Sequence, residues 1–400
     1  MLEEAIRSRD YSAAIDAIKK GEKLPVTRDK FSIKSIFDIL VAEKKFDILT
    51  LFVLHKLIET DIYEYEKFDY SVFDSLLSFK LAEEETEDFF EDFLVHFTNL
   101  NDEINGETLL SYAFTRNASA RNLRTLLKFG CNVNFKNNQE ENIIHQLVKA
   151  DYGKPNLPRD AYQALVREYV ELLISNGADV DDLNIKKETP LLSALRFRKE
   201  YFLPVLLENG ADPNHTDAEG NNAFYYAISW AKSIDAYRKL CEYHPAELNE
   251  KNNLGETVLF NYLKEINFDS IETNQEILRQ LLNDGADLYV ACNYYGKNKT
   301  PLDFAAEKNA AIFQTVIESG SVDVNLQDDN GNTVLHKVCA FDVREDHDKA
   351  KETYIKVKFL LEKGADPAIT NDKDQTALML ASEDNYKIKT VELLMNNLNR

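Results

Sequence analysis

Short apolar runs that open with Thr or Asn recur along the chain, and a second apolar stretch follows each of them. Thr189-Pro-Leu-Leu and Thr300-Pro-Leu-Asp are the clearest openings. A Thr hydroxyl accepts hydrogen bonds from the free N–H groups of a first helical turn, and Pro fits the next position because no donor is needed there. The pattern therefore predicts pairs of helices, the first of about ten residues, the second rich in Leu, Val and Ile, as in 169–174.

A glycine box follows each second helix at a fixed distance from the next opening. Twelve residues separate Gly177 from Thr189 and Gly364 from Thr376. Glycine ends a helix readily in the left-handed conformation, and the Asp, Asn and Gly that follow it indicate a β-turn or hairpin. A fixed interval predicts stacked repeats with one elongated core, an architecture that serves binding. The Gly-Ala-Asp boxes and their weaker versions lie at 129–132, 176–179, 209–212, 284–287, 319–323 and 363–366.

These features resemble the ankyrin repeat, since the Thr-Pro-Leu-His-like opening, the leucine-rich second helix and the Gly-Ala-Asp box occur in register. The resemblance implies an all-α repeat solenoid, an ankyrin-repeat array in which helix pairs carry β-hairpin fingers. His145 and His336 match the family's His. The resemblance implies that both bond to backbone and to the neighbouring repeat, with no part in catalysis or metal binding.

The same register divides the chain at about residue 100. Residues 1–100 are interpreted as an N-terminal cap at 2–20 followed by degenerate, acidic ankyrin-like helical repeats that lack the box. Residues 101–400 hold about eight ankyrin repeats, and a last helix at 390–397 closes the array. The predicted helix-opening residues are Ser35, Ser71, Thr108, Asn142, Thr189, Asn222, Thr257, Thr300, Thr333 and Thr376.

Three repeats are longer than the others. The distance from opening residue to box glycine is 21 in 189–210 but 35 in 142–177, 28 in 257–285 and 31 in 333–364. The additions, near 151–163, 266–274 and 342–352, all fall between the two helices and so project from one edge of the solenoid. Partner contacts and extended helices both explain them. Two departures, His244–Glu247 in place of a box and Tyr262 at a usually small position, predict an irregular centre.

The resemblance implies that finger tips and the residues seven and eight after each opening line a concave groove. Arg196, Phe197, Trp230 and Phe341 hold such positions. Large aromatic residues there are typical interface anchors, although packing under a neighbouring segment is the alternative.

One finger is longer than the others. Fifteen residues separate Gly285 from Thr300, and the segment carries Tyr289, Tyr294 and Tyr295. Exposed aromatic residues on a finger are candidate binding anchors. Tyr is also common in hairpins that only pack on their neighbours, so both uses stay open.

The chain is strongly acidic, with a formal net charge of −22 from 69 acidic and 47 basic residues. Residues 59–92 hold thirteen acidic and two basic residues. A surface of this sign argues against binding to nucleic acid or to an anionic membrane, and it favours a basic protein as partner. A solvated, charged helix face is the alternative. The candidate partner-binding acids are Glu83, Glu84, Glu85, Glu87 and Asp88.

Nothing in the sequence indicates chemistry or export. Nucleophile elbows, phosphate loops and metal-ligand spacings are missing, so we expect no enzyme, no cofactor and no metal site. The first residues do not read as a signal peptide, and no stretch has the roughly 20 apolar residues of a membrane span. Four scattered cysteines favour a reducing compartment, with Cys131 and Cys339 as small buried residues. We expect a cytoplasmic protein that is monomeric on its own.

The leading hypothesis is a non-enzymatic protein-binding solenoid, more narrowly an intracellular inhibitor that neutralises a basic partner. Some bacterial ankyrin proteins act in this way, as immunity proteins against a toxin. The alternatives are an adaptor or secreted effector that engages a host protein, and an acidic mimic of nucleic acid.

Overall fold

The helix pairs that the repeat predicts extend through the structure. The computed structural model describes residues 1–24, 30–78, 84–150, 157–266, 270–320 and 322–398. The chain divides into two units, 1–212 and 213–400, and each is described here by itself.

The first unit is helical in its described residues, apart from its turns and isolated bridges. Short 3-10 turns at Ile62–Glu64 and Glu200–Phe202 lie between helices. The helices are α1 (Leu2–Arg7), α2 (Tyr11–Lys19), α3 (Lys30–Ala42), α4 (Phe46–Leu54), α5 (Val72–Leu76), α6 (Glu84–Leu94), α7 (Leu109–Thr115), α8 (Ala120–Lys128), α9 (Ile143–Lys149), α10 (Arg159–Ser175), α11 (Pro190–Arg196) and α12 (Leu203–Glu208).

The second unit repeats the helix pair and adds one hairpin. Its first helix, α13 (Ala223–Tyr225), continues as a π-helix over Tyr226–Ala231, and a 3-10 turn at Asn385–Lys387 precedes the last helix. The remaining elements are α14 (Ile234–Cys241), α15 (Val258–Glu265), α16 (Ile271–Asn283), β1 (Cys292–Tyr294), β2 (Lys297–Lys299), α17 (Pro301–Glu307), α18 (Ala310–Ser319), α19 (Val334–Ala340), α20 (His347–Glu362), α21 (Ala377–Ser382) and α22 (Ile388–Leu398).

The predicted opening residues from Thr108 onward all stand at helix N-caps. Asn142 Oδ1 accepts from the N–H of His145 at 3.0 Å, and Thr189 Oγ1 accepts from Leu192 at 3.3 Å. The first helices run for six to eight residues in most of these repeats, shorter than the ten expected.

Of the two helix-opening residues predicted in the first hundred residues, one is confirmed and the other is wrong. Ser71 caps α5 through the N–H of Phe73, as expected. Ser35 opens nothing, because it lies inside α3, which begins five residues earlier at Lys30. Lys34 Nζ lies 3.1 Å from Asp38 and 3.2 Å from Asp74, so the residues three after Ser35 and three after Ser71 share one lysine.

Apolar side chains form a continuous core within each unit. First helices stack on first helices, as α7 does on α9 and α17 on α19, and second helices stack in the same order, as α16 does on α18. Ile277, Leu278 and Leu281 on α16 are fully buried. The spacing i, i+1, i+4 places all three on one helix face, which explains why the second helices are rich in Leu and Ile.

Six fingers are held by a side chain. Five residues before six of the caps stands an Asn or Asp whose side-chain oxygen accepts two N–H groups of its own turn, at 2.8–3.1 Å. These residues are Asn137, Asn184, Asp217, Asn252, Asp328 and Asn371. The sequence predicted a β-turn or hairpin in each finger, and among the described residues β1 and β2 form a two-stranded ladder whereas the fingers held by these six residues are turns.

Neighbouring fingers are joined through their backbones. The N–H of Asp372 donates to the carbonyl of Asn330 at 3.1 Å, and two further finger pairs repeat this bond. Gly331 allows the approach, because a Cβ there would lie 2.7 Å from the backbone nitrogen of Asp372. Its φ of +73° is also one that other residues rarely adopt.

Three Asn residues each join one repeat to the box of the next. Asn325 donates to the carbonyl of Gly364 at 3.0 Å and accepts from the N–H of Asp366 at 2.8 Å. Asn101 and Asn249 make the same pair of bonds in their own repeats. We call these the Asn clamps.

Two buried His residues make similar connections, as the resemblance implied. His145 contacts Asn142 Oδ1 at 2.8 Å and the carbonyl of Glu188 in the next repeat at 2.9 Å. His336 contacts Thr333 and the carbonyl of Gln375 in the same manner. Burial lowers the pKa of both imidazoles, so both are neutral structural groups at pH 7.

The three long repeats carry long second helices. The helices α10, α16 and α20 contain 17, 13 and 16 residues, against 10 in α18. Helix extension therefore accounts for much of the added length. Residues 151–156 and 267–269 lie outside the described residues, and the predictions for those parts of the two insertions stay predictions. Cys131 and Cys339 are buried free thiols, as predicted.

Replacing one Asn clamp is expected to weaken the stack. Asn325→Ala removes two hydrogen bonds between repeats, each worth about 0.5–1.5 kcal/mol net, so the free energy of unfolding should fall by ~1–2 kcal/mol. Urea denaturation followed by circular dichroism measures the loss. The control is Asn330→Ala in the same finger, where the backbone carbonyl makes the bond to the next repeat. Equal losses in both variants would contradict the clamp.

Candidate partner-binding site

Buried carboxylates hold the residues seven positions after the openings. Glu188 directly precedes the cap of α11, is 2% exposed, and forms an ion pair with Arg196. Glu256 repeats the arrangement with Lys264 Nζ at 2.6 Å. A buried charge needs a partner and hydrogen bonds, and Asn184 supplies a further bond to Glu188 at 3.0 Å. Arg196 is therefore fixed by the framework of its own repeat.

Phe197, one residue further on, is directed away from this framework. It caps the C-terminus of α11 and is 42% exposed. Lys149 Nζ lies 5.7 Å from its ring centroid and the Arg196 guanidinium lies 5.9 Å from it. Cations at these distances are attracted by the ring, so they help to orient an aromatic side chain that solvent still reaches.

Trp230 holds the corresponding position in the second unit and is 53% exposed. It lies in the π-helix, which ends at Lys232 with a left-handed φ of +55°. Single turns of π-helix are uncommon and occur often at functional sites. This irregular helix is a different feature from the two departures that the sequence suggested, at 244–247 and at Tyr262. Tyr262 is accommodated by burial, with its hydroxyl donating to Asn274 at 2.7 Å.

Phe341 lies at an equivalent position but is half-buried. The Nζ of Lys356 lies 5.6 Å from its ring centroid. Phe341 thus lies beside a buried lysine of its own repeat.

The tyrosines of the long finger divide by strand position. Tyr294 on β1 packs edge-on against Phe304, with ring centroids 5.1 Å apart, and also against Phe260. Tyr295 follows at the hairpin tip, where it is 91% exposed with a φ of +49°. Tyr289, before the hairpin, is partly exposed as well. Tyr289 and Tyr295 therefore remain the finger's candidates.

Most of the acidic candidates lie on α6, next to basic side chains of this same chain. Glu84 and Glu85 are exposed in its first turn, where negative charge favours a helix. Lys44 Nζ lies 2.9 Å from Glu85 Oε2. Glu87 and Asp88 face Arg121, and Glu91 pairs with Lys128 on α8. Part of the acidic face is therefore neutralised internally. Glu83 lies outside the described residues.

The family model for ankyrin repeats matches residues 161–252 and 313–400. These segments carry the caps, finger turns and helix pairs described above. The chain is an ankyrin-repeat protein. Proteins of this family generally act as protein-interaction scaffolds rather than as enzymes. Its ankyrin repeats indicate a protein-binding repeat protein.

Several proteins with ankyrin repeats are similar in sequence. An ankyrin repeat protein of Acanthamoeba polyphaga mimivirus is 24% identical over 64% of this chain and 31% of its own length. One from fowlpox virus is 26% identical over 33% of this chain and 35% of its own length. Among solved structures, the ankyrin repeat domain of Bcl-3 is 24% identical, with a TM-score of 0.48 over 63% of this chain and 97% of that one. The chain thus spans about a third of the length of the first two relatives.

Buried lysines form a feature of these ankyrin repeats that the sequence did not reveal. Lys356 is 1% exposed and donates to the carbonyls of Ala306 and Lys308 at 2.6 and 2.9 Å. Lys387 donates to the carbonyl of Cys339, also from a buried position. These carbonyls lie at the ends of the first helices of preceding repeats, which cations stabilise. No regular spacing connects the lysines with one another, so a repeat pattern does not reveal them.

Other site classes find little support in the described parts of the chain. No group of three or more His, Cys, Asp or Glu side chains there could hold a metal ion. Among the same residues, every helix is too short or too polar to cross a membrane.

The pH dependence of stability should reveal Lys356. Burial outweighs its hydrogen bonds and lowers the pKa of its ammonium group from the ordinary 10.5 to about 8. The unfolded chain therefore binds more protons than the folded one between those values, and stability rises with pH in that window. Relative to Lys356→Met, the protein should gain ~2 kcal/mol between about pH 7 and pH 10.

Denaturation of both proteins at the two pH values measures this difference. Lys358→Met is the matched control, because Lys358 is exposed on the same helix. An unchanged difference between the protein and Lys356→Met across the window would show that the pKa of Lys356 is not lowered.

Proposed function

We propose that this ankyrin-repeat protein is an inhibitor of the immunity type, which binds and neutralises a basic protein in the cytoplasm. The partner would be held at the residues seven and eight after the openings and at the finger tips, while the acidic surface would guide its approach. The protein would act as a monomer, without cofactor or catalysis.

The exposed aromatic residues Phe197 and Trp230 carry this proposal. The residue before Phe197, Arg196, is held by Glu188, whereas the rings of Phe197 and Trp230 are 42% and 53% exposed. Exposing a large aromatic side chain at a fixed position of the repeat has no benefit for folding. Such residues are the commonest anchors of protein interfaces, because they bury a large area at little cost in side-chain entropy.

The charge of the chain supports a basic partner. Internal pairs such as Glu85–Lys44 neutralise acids and bases in equal numbers, so they leave the net charge of −22 unchanged. A field of this sign raises the association rate of a positively charged protein and disfavours acidic ones.

Removing the two rings should weaken partner binding. Phe197→Ala and Trp230→Ala are each expected to raise Kd about tenfold or more, because anchors of this kind contribute over ~1.4 kcal/mol each. The partner is captured from a lysate of the source cells, identified by mass spectrometry and purified. Calorimetric titration then gives the Kd of each variant.

Leu54→Ala is the matched control, since Leu54 is an exposed apolar residue at the end of the second helix α4. Equal weakening by Leu54→Ala would contradict the assignment of the two rings. The inhibitor proposal further requires that the captured protein loses its activity or toxicity on binding. A partner that stays fully active would favour the adaptor or effector function instead.

Neutralising the exposed acids of α6 should slow association. Glu84→Gln together with Glu85→Gln is expected to lower the association rate constant ~2–5-fold at low salt, and the difference should vanish at about 0.5 M NaCl. Stopped-flow mixing with the purified partner measures the rate. The control pair, Glu3→Gln and Glu4→Gln, removes the same charge from the first turn of α1. If both pairs of substitutions slowed association equally, the overall charge would account for the effect, and a specific role for α6 would be contradicted.

A further inference from the structure

A pocket opens beside the finger of the degenerate repeat in the first unit, away from the groove positions discussed above. Its apolar walls come from Ile33 and Phe37 on α3, from Ile58 and from Val72 at the start of α5. The side chains of Tyr65 and Tyr70 line it as well. Its volume is about 260 Å³.

The loop that forms this pocket is held by its own hydrogen bonds. The Tyr65 hydroxyl donates to the carbonyl of Glu59 at 2.8 Å, which closes the loop across six residues. The Asp61 carboxylate accepts from the N–H of Tyr63 at 3.0 Å, and Asp74 accepts from Tyr70 at 3.1 Å. Beneath the loop, the rings of Tyr65 and Phe73 lie 5.8 Å apart. The pocket is therefore preformed, which reduces the entropy cost of filling it.

The rim of the pocket is acidic. Four of its lining residues, Glu59, Glu64, Glu66 and Asp69, carry carboxylates, and Lys67 is the single base among them. Asp69 forms an ion pair with Arg116, while the three glutamates are exposed to solvent. Lys67 lies over the ring of Tyr70, with Nζ 4.4 Å from the centroid. An apolar floor within a negative rim is complementary to an apolar side chain with cations beside it.

We infer that this pocket receives one bulky apolar side chain from a partner segment that carries Lys or Arg on both sides of it. The volume lies below the roughly 300–1,000 Å³ of pockets for drug-sized ligands, and it suits a single Phe, Leu or Trp side chain. The inference rests on the proposed function only in taking the partner to be a basic protein. The surface itself is separate from Phe197 and Trp230.

Peptides of the sequence Lys-Arg-Φ-Arg-Lys, with Φ as Phe, Leu, Trp or Ala, test the inference by fluorescence anisotropy with the full chain. Burial of a large side chain is worth about 1.5–3 kcal/mol, so the Ala peptide should bind at least about tenfold more weakly than the best of the others. Glu59→Lys with Glu64→Lys should weaken binding about tenfold. The control pair Glu4→Lys with Glu103→Lys makes the same change of charge at exposed sites elsewhere in the unit, and should have less than about a twofold effect.

Two variants of Ile58 locate the binding. Ile58→Trp should fill the pocket and abolish peptide binding, with circular dichroism checking that the fold is kept. Ile58→Ala should enlarge the pocket and shift the preference towards the Trp peptide, so a folding failure of the first variant leaves the second as a test. Equal binding of the Phe and Ala peptides would overturn the inference, as would equal effects of the two charge-reversal pairs or insensitivity to both Ile58 variants. A partner captured in the earlier experiment would still support the proposed function in that event.

Discussion

The Asn or Asp that stands five residues before a helix cap is the interaction on which the repeat depends. Its side-chain oxygen takes up two N–H groups of the finger turn, as Asp328 does with Asn330 and Asn332. A turn fixed in this way sets where the next helix begins, and the cap residue then sets its direction. The same turn presents one carbonyl to the neighbouring finger. One side chain therefore fixes both the finger turn and the carbonyl that bonds to the neighbouring finger. The turn and the stacking of the fingers together set the positions of the groove residues.

The sequence predicted those features that arise within one repeat. The caps from Thr108 onward and the helix pair at 2–20 were found because each depends on residues close together in the chain, whereas the two His bridges between repeats came from the resemblance. Ser35 shows the limit of this reasoning. A Ser caps a helix only where the helix begins, and α3 had already begun at Lys30. The fingers were predicted as β-turns or hairpins, and both forms occur, since an Asn side chain can hold a turn without any strand pairing.

The features that could not be predicted arise between repeats or in the interior. The buried lysines Lys356 and Lys387 reach carbonyls about fifty residues away, and they do so from different positions of their repeats. No spacing identifies them. The ion pair of Glu188 with Arg196 was detectable in principle, because a Glu before the cap and a base eight residues later recur at 141/149 and 256/264. Arg196 was instead interpreted as a groove contact, and the pattern was therefore not recognised.

Residues that hold the repeat together and residues that are left to contact a partner lie side by side in this fold. At the end of α11, Glu188 forms an ion pair with Arg196. The next residue, Phe197, is partly exposed to solvent. The long finger divides in the same way, since Tyr294 at the end of β1 packs against Phe304 whereas Tyr295 in the turn that follows is exposed. Tyr295 and Phe197 are thus alike, because each is an exposed aromatic residue that directly follows a residue packed or bonded within its repeat. Side chains next to such framework residues are rigidly placed yet free to vary, so they are the positions at which a repeat can acquire a partner without losing stability.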